Sequence, residues 1–153
     1  MKLKFAIVIS LFLSCLILDS SAGLAASKKI KWYSYDEGLA LGKQEGKKMF
    51  LHFYASWCPS CKEMNKKTFQ NSRVIDYLNR HFISSRVNSD NARRLVSQYS
   101  VRGVPLTYFI SEKGEKISSL PGYVPSDKLL NILKYIKTDS YKTMTFNKFL
   151  KAL

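Results

Sequence analysis

Residues 48–61 read Lys48-Met49-Phe50-Leu51-His52-Phe53-Tyr54-Ala55-Ser56-Trp57-Cys58-Pro59-Ser60-Cys61. Lys48 to Ala55 is aromatic-rich and free of breakers, the composition of a mostly buried strand, which needs cover on both faces. The chain then turns, and Pro59 suits the first turn of a helix because its missing N–H is not needed there. That helix is expected to run through Lys62 to about Thr68. One sulfur of the Cys-x-x-Cys pair therefore sits at a helix N-terminus, where unpaired N–H groups and the macrodipole favour negative charge. Such placement lowers a cysteine pKa from about 8.5 toward the range of about 3.5 to 7.5, and the second cysteine, one turn on, is near enough to close a disulfide.

Working outward, Asp36 to Lys47 is expected to form a short helix, with Asp36 as its cap. Downstream, Ser72 caps a helix that carries Val74, Ile75 and Leu78 on one side, and Phe82 to Asn88 is a second strand. Asp90 to Tyr99 is a further helix. Leu106 to Ser111 and Lys116 to Leu120 are strands joined by a turn at Glu112-Lys113-Gly114-Glu115, and Pro121-Gly122 marks a loop. Ser126 to Ile136 is the clearest amphipathic helix, with Leu129, Leu130, Leu133 and Ile136 on one side. Thr145 to Leu153 adds a short terminal segment with Phe146, Phe149, Leu150 and Leu153 as its apolar set. Strands alternate with helices and a hairpin follows, which is an α/β sandwich with a mixed central sheet flanked by helices.

The chain has 153 residues, 46% of them hydrophobic, enough for one compact domain and too apolar for a disordered chain. It carries 25 Lys+Arg against 11 Asp+Glu, a net charge of +14, and 3 cysteines. Lys2 and Lys4, the apolar run Phe5 to Leu18, and small residues through Ala26 have the pattern of a cleaved secretory signal peptide. Residues 1–25 are thus expected to be a signal, 26–139 a single domain, and 140–153 a helical extension packed on it. Cys15 leaves with the signal, which resolves an odd cysteine count into the pair Cys58 and Cys61. The apolar run is short for a membrane anchor, and Ile17 and Leu18 continuing past Cys15 make a poor lipidation site. Export also points away from nucleic acid as the ligand of this basic chain, leaving an acidic partner protein or an anionic surface as the sharper reading and a solvated surface as the plainer one.

With Cys58 nearer the helix start and the surface, the pair suits a sequence in which Cys58 attacks and Cys61 resolves. A structural zinc site needs four ligands, and His52 and His81 stand at no ligand spacing, so no metal is expected. A haem attachment motif has His after the second cysteine, where Lys62 stands, so no cofactor is expected either. An inert disulfide is the remaining alternative, although so short a loop removes little unfolded-state entropy.

Tyr54-Ala55-Ser56-Trp57-Cys58-Pro59-Ser60-Cys61-Lys62, followed about forty residues on by Val101-Arg102-Gly103-Val104-Pro105, resembles the thioredoxin family across nearly the whole mature chain. Lys67-Thr68-Phe69 is similar to exported members of the DsbD C-terminal type, and Leu120-Pro121-Gly122-Tyr123 with Tyr135, Tyr141 and Phe149 to those of the SoxW type. The resemblance implies a thioredoxin fold and catalytic cysteines Cys58 and Cys61. It also implies a cis bond between Val104 and Pro105 and a substrate surface formed by Trp57, Pro59, Ser60, Val104 and Pro105. It further implies a monomeric, periplasmic or secreted thiol–disulfide oxidoreductase, most simply a reductase. Its partners would be disulfide-containing substrate proteins and a membrane electron donor of the DsbD or CcdA type. An oxidant, an isomerase or a non-catalytic binding module of the same fold stay open.

Two features depart from the family, one of them Pro59-Ser60 between the cysteines, where Gly-Pro is typical of cytosolic thioredoxins. A buried Asp is usual six residues before the first cysteine, and here that residue is His52, expected to relay the proton of Cys61. Potentials across the fold run from about −270 mV to about −120 mV, so spacing leaves the direction of electron flow undetermined.

Overall fold

The computed structural model describes residues 29–153. The signal-peptide expectation, with Cys15, lies outside the described residues. At the centre is strand β2 (Lys48–Tyr54), hydrogen-bonded on both edges in a five-stranded sheet of order β1-β3-β2-β4-β5. Strands β1 (Trp32–Tyr33) and β3 (Phe82–Asn88) run parallel to it in that half of the sheet. On the other side, β4 (Leu106–Ile110) runs antiparallel to β2, and β5 (Lys116–Pro121) antiparallel to β4.

Alternation along β2 divides the core in two. Phe50 and His52 face helices α2 (Pro59–Lys67), α3 (Ser72–His81) and α5 (Ser126–Lys137), in a cluster with Met64, Phe69, Leu78, Phe109 and Leu133. Met49, Leu51 and Phe53 face α1 (Tyr35–Glu45) and α4 (Arg93–Gln98), against Val87, Leu95 and Tyr99. Phe50, Leu51 and Phe53 are fully buried, each worth roughly 1.5–3 kcal/mol of burial. This is a thioredoxin fold in a single domain. Among the described residues no helix is long and apolar enough to cross a membrane.

Several element boundaries differ from the sequence reading, and the side chains show why. Helix α1 is capped by Ser34, not Asp36. Ser34 Oγ accepts the Glu37 amide at 3.4 Å, and the Glu37 carboxylate accepts the Ser34 amide at 3.0 Å, a reciprocal capping box. Gly46 ends α1 at φ +60°, and Gly38 lets the helix lie on β3, where a Cβ would stand 2.0 Å from Ser85 Oγ. Asn71 rather than Ser72 caps α3, its Oδ1 accepting the Arg73 and Val74 amides. The helix expected from Asp90 begins only at Arg93, because the Asp90 amide donates to Asn88 Oδ1 and its carboxylate is engaged elsewhere. Strand β1 was not anticipated at all.

At the C-terminus a 3₁₀ turn (Ser140–Lys142) leads to α6 (Phe146–Leu150), capped by Thr145. Tyr135 of α5 meets the rings of Phe146 and Phe149 at 5.4 and 5.2 Å, and its hydroxyl donates to the Met144 carbonyl. Only Phe149 of the expected apolar set is buried; Leu150 and Leu153 are exposed because α6 stops after five residues.

The first residue of β2 is a buried cation. Lys48 Nζ donates to Glu112 at 2.9 Å and to Asp139 at 3.3 Å, fastening the β4–β5 turn and the end of α5 to the central strand. Burial alone would pull the Lys48 pKa down, but the two carboxylates reverse this and hold it above its ordinary value. Glu112, despite its own burial, is held below the usual carboxylate range by Lys48. Asp139 is lowered by Lys142 first and by Lys48 as well. Carboxylates lowered by folding stabilise above their unfolded pKa near 4 and lose that stability as pH falls through the folded value; the raised lysine loses its share only in strong alkali. Lys48→Met should therefore cost roughly 1–3 kcal/mol at pH 7 in urea titration, less than a fully buried pair because the carboxylates keep access to water. The penalty should shrink toward pH 3; a penalty that is the same at both pH values contradicts this.

Candidate active site

Helix α2 starts where β2 ends. After buried Ala55 the chain turns through Ser56 and Trp57, the Cys58 amide donating to the Ala55 carbonyl at 3.3 Å. Cys58 is the N-cap of α2, with extended backbone, and its sulfur accepts the Cys61 amide N–H at 3.1 Å. Pro59 fills the first helical position, where no backbone donor is lost. Cys58 and Cys61 are joined as a disulfide with their Cα atoms 5.3 Å apart. A thiolate at Cys58 would keep the Cys61 amide as donor and gain the positive end of the helix, the two features that lower a thiol pKa.

The sequence placed Cys58 nearer the surface. In the structure the two cysteines are about equally buried, at 2% and 3% exposure, because Ala55, Tyr54 and Val104 close over the pair. Val104 belongs to the loop before β4. Its peptide bond to Pro105 is cis, and its carbonyl oxygen lies 3.5 Å from Cys58 Sγ. Pro105 is buried and its carbonyl accepts the Gly122 amide at 2.8 Å, which ties the loop to the end of β5. Beside it opens a groove of about 390 Å³ lined by Arg102, Gly103, Val104, Pro105, Tyr108 and Gly122. Ser60 Oγ lies 3.5 Å from Cys58 Sγ, and Pro59 is exposed.

Trp57 stands beside the disulfide with 70% of its surface exposed. Its indole N–H donates to Asp90 Oδ1 at 2.9 Å, and the other carboxylate oxygen accepts the Ser56 amide at 3.1 Å. The sequence reading gave Asp90 only as the start of a helix, with no part in the site. It holds the Ser56-Trp57 turn from a residue 33 positions away from Trp57, a separation with no local signature.

His52 is completely buried on the α2 side of β2, its ring 4.9 Å from that of Phe69. Nδ1 shares a 3.0 Å hydrogen bond with Thr107 Oγ1, while Nε2 has no partner. Burial first, and then the Arg86 guanidinium, push its pKa down to about 3. A proton taken from Cys61 would create an imidazolium inside the core beside a second cation. Burial and the neighbouring guanidinium favour the neutral, hydrogen-bonded imidazole, which makes His52 a weak acceptor for the Cys61 proton. Among the described residues no group of three or more His, Cys, Asp or Glu could hold a metal ion.

Comparison with known proteins agrees with this arrangement. Residues 35–137 match the family model described as "Thioredoxin-like domain". The chain is 30% identical over 101 residues to the thiol:disulfide interchange protein DsbD of Actinobacillus pleuropneumoniae, covering 63% of this chain and 17% of that one. To the DsbD of Ralstonia nicotianae it is 36% identical over 84 residues, 53% of this chain and 14% of that one. It thus spans about a sixth of the length of these curated relatives. Among solved structures, a thioredoxin from Thermus thermophilus superposes with a TM-score of 0.65 at 28% identity, covering 71% of this chain and 87% of that one. The oxidised DsbD C-terminal domain of Neisseria meningitidis superposes with a TM-score of 0.54 at 25% identity, covering 68% and 97%. With a sulfur capping the helix that leaves the central strand, and a family match over most of the described residues, the chain belongs to the thioredoxin-like family and is related to the DsbD thiol:disulfide interchange proteins.

Proposed function

We propose that this chain is an exported protein-disulfide reductase, working in a periplasm or an equivalent space outside the cytoplasm. The observation that carries the reading is the Cys58 sulfur at the N-terminus of α2, accepting the Cys61 amide and facing the Val104 carbonyl. The signal-like N-terminus supports the location.

In the reaction the Cys58 thiolate attacks one sulfur of a substrate disulfide, and the other substrate sulfur leaves as a thiolate. The Cys61 thiolate then attacks Cys58 Sγ, closing the Cys58–Cys61 disulfide and releasing the second substrate sulfur. Two electrons pass to the substrate, whose thiolates take up protons from water. A membrane dithiol donor of the DsbD or CcdA type returns the pair to its reduced form. The groove beside Pro105 and the exposed Trp57 receive the substrate chain, with Pro59 and Ser60 completing the contact surface. A monomer suffices for this cycle, and the basic surface favours acidic partner proteins.

Reduction of insulin with dithiothreitol as donor checks the chemistry. Wild type should accelerate it, Cys58→Ser should return the rate to that of dithiothreitol alone, and Cys61→Ser should accumulate a mixed disulfide through Cys58. Activity that survives Cys58→Ser would favour a non-catalytic binding module. His52→Leu should leave the pH dependence of the reaction in place while costing about 1–3 kcal/mol of stability, because the buried Thr107 hydroxyl loses its partner. A displaced pH profile would reinstate a proton relay.

A further inference from the structure

Arg86 is the one charged residue of β3 and lies on the α2 side of the sheet, opposite His52 in the β2–β3 register. Its guanidinium sits 4.0 Å over the Tyr54 ring and 5.7 Å from the Trp32 ring. One terminal nitrogen donates to Asn65 Oδ1 at 3.4 Å, and Nε is buried without a partner. None of the ion pairs among the described residues includes Arg86, and no Asp or Glu is found among the buried polar residues. A guanidinium stays protonated even when burial lowers its pKa, as it does here. The fold thus keeps a cation with one long hydrogen bond and two aromatic faces and no carboxylate paired with it.

Asn65 ties the cation to α2. It lies four residues after Cys61 on α2, and residues at that spacing share one face of a helix, with Cβ atoms about 5–6 Å apart. The anion that forms next to this face during turnover is the thiolate of Cys61. Other charged or titratable groups near Cys61 do not supply the missing counter-charge. On α2, Lys62 and Lys66 are exposed and Glu63 pairs with Lys67 at 2.8 Å. On β2 stand His52, which is neutral, and Tyr54; on the Pro105 loop, exposed Arg102; beyond Trp57, exposed Asp90.

Resting on the oxidoreductase reading above, we propose that Arg86 is a positioning residue of the redox centre. Clamped by Tyr54, Trp32 and Asn65, its guanidinium stabilises the Cys61 thiolate released when the disulfide opens. A cation there favours the dithiol over the disulfide and sets how strong a reductant the pair can be.

The test is the redox equilibrium of the chain with glutathione, together with the ultraviolet titration of the reduced thiols, in wild type, Arg86→Gln, Arg86→Lys and Asn65→Asp. Arg86→Gln should shift the equilibrium about tenfold toward the disulfide, about 30 mV, and raise the thiol titration by about one pH unit. Arg86→Lys should restore most of both, as a purely packing role would not. Asn65→Asp, which sets a carboxylate against the intact guanidinium, should shift both in the direction of Arg86→Gln, and it carries the test if that variant fails to fold. Values within twofold of wild type for Arg86→Gln and Asn65→Asp, or a lysine variant as displaced as the glutamine one, overturn the proposal. A wild-type pair that does not equilibrate with glutathione at all overturns the oxidoreductase reading instead.

Discussion

A single contact organises the site: the sulfur of Cys58 takes the place of a capping side chain at the start of α2 and accepts the amide of Cys61. A helix begins with unpaired N–H groups, and most sequences satisfy them with a Ser, Thr, Asp or Asn oxygen. Here the acceptor is the atom that carries the chemistry in the proposed reaction. The contact depends on β2, whose residues bury Phe50 and His52 on one face and Met49, Leu51 and Phe53 on the other. A strand fixed from both sides delivers Ala55 and the following turn to one place at the sheet's end, and α2 has to start there.

The surroundings of the pair divide into an exposed half and a buried half of different electrostatic character. On the outside, Asp90 holds Trp57 and Ser56, and the Gly122 amide holds Pro105, so the elements proposed to receive substrate are tied to the scaffold by long-range hydrogen bonds. On the inside, under α2, the polar groups are neutral His52, Thr107, Asn65 and the unpaired Arg86. Burial of the disulfide keeps solvent from screening that inner half, so a charge there acts on the sulfurs more strongly than the surface lysines do. The basic character visible in composition is therefore distinct from the buried cation proposed to act on the redox pair.

Much of this was legible in the chain itself. The breaker-free run before Trp57 announced a central strand, and Pro59 after Cys58 announced the helix start, because both signals are local. The α5 stripe was legible for the same reason, with Ile132 joining the expected Leu129, Leu130, Leu133 and Ile136. Strand β1 was not, since two residues pairing with Ser84 and Ser85 carry no period to read. The caps slipped by one or two residues where neighbouring polar side chains compete, as Ser34 does with Asp36 and Asn71 with Ser72. His52 was singled out by position, but its behaviour depends on complete burial and then on Arg86, a register partner, both of which only the assembled sheet supplies. Arg86 did leave a trace, a lone charge within the strand FISSRVN, and that trace acquires meaning only when no carboxylate is found to meet it.

For Cys58 to be the attacking residue, the reduced sulfur at the start of α2 must be a thiolate at neutral pH. The most direct measurement is the rate at which Cys58 is alkylated, as a function of pH, in the Cys61→Ser variant. The helix N-terminus predicts a midpoint well below the value of about 8.5 for a free cysteine, within the range of about 3.5 to 7.5. A midpoint at or above about 8.5 would contradict it and leave Cys58 and Cys61 as a structural cross-link.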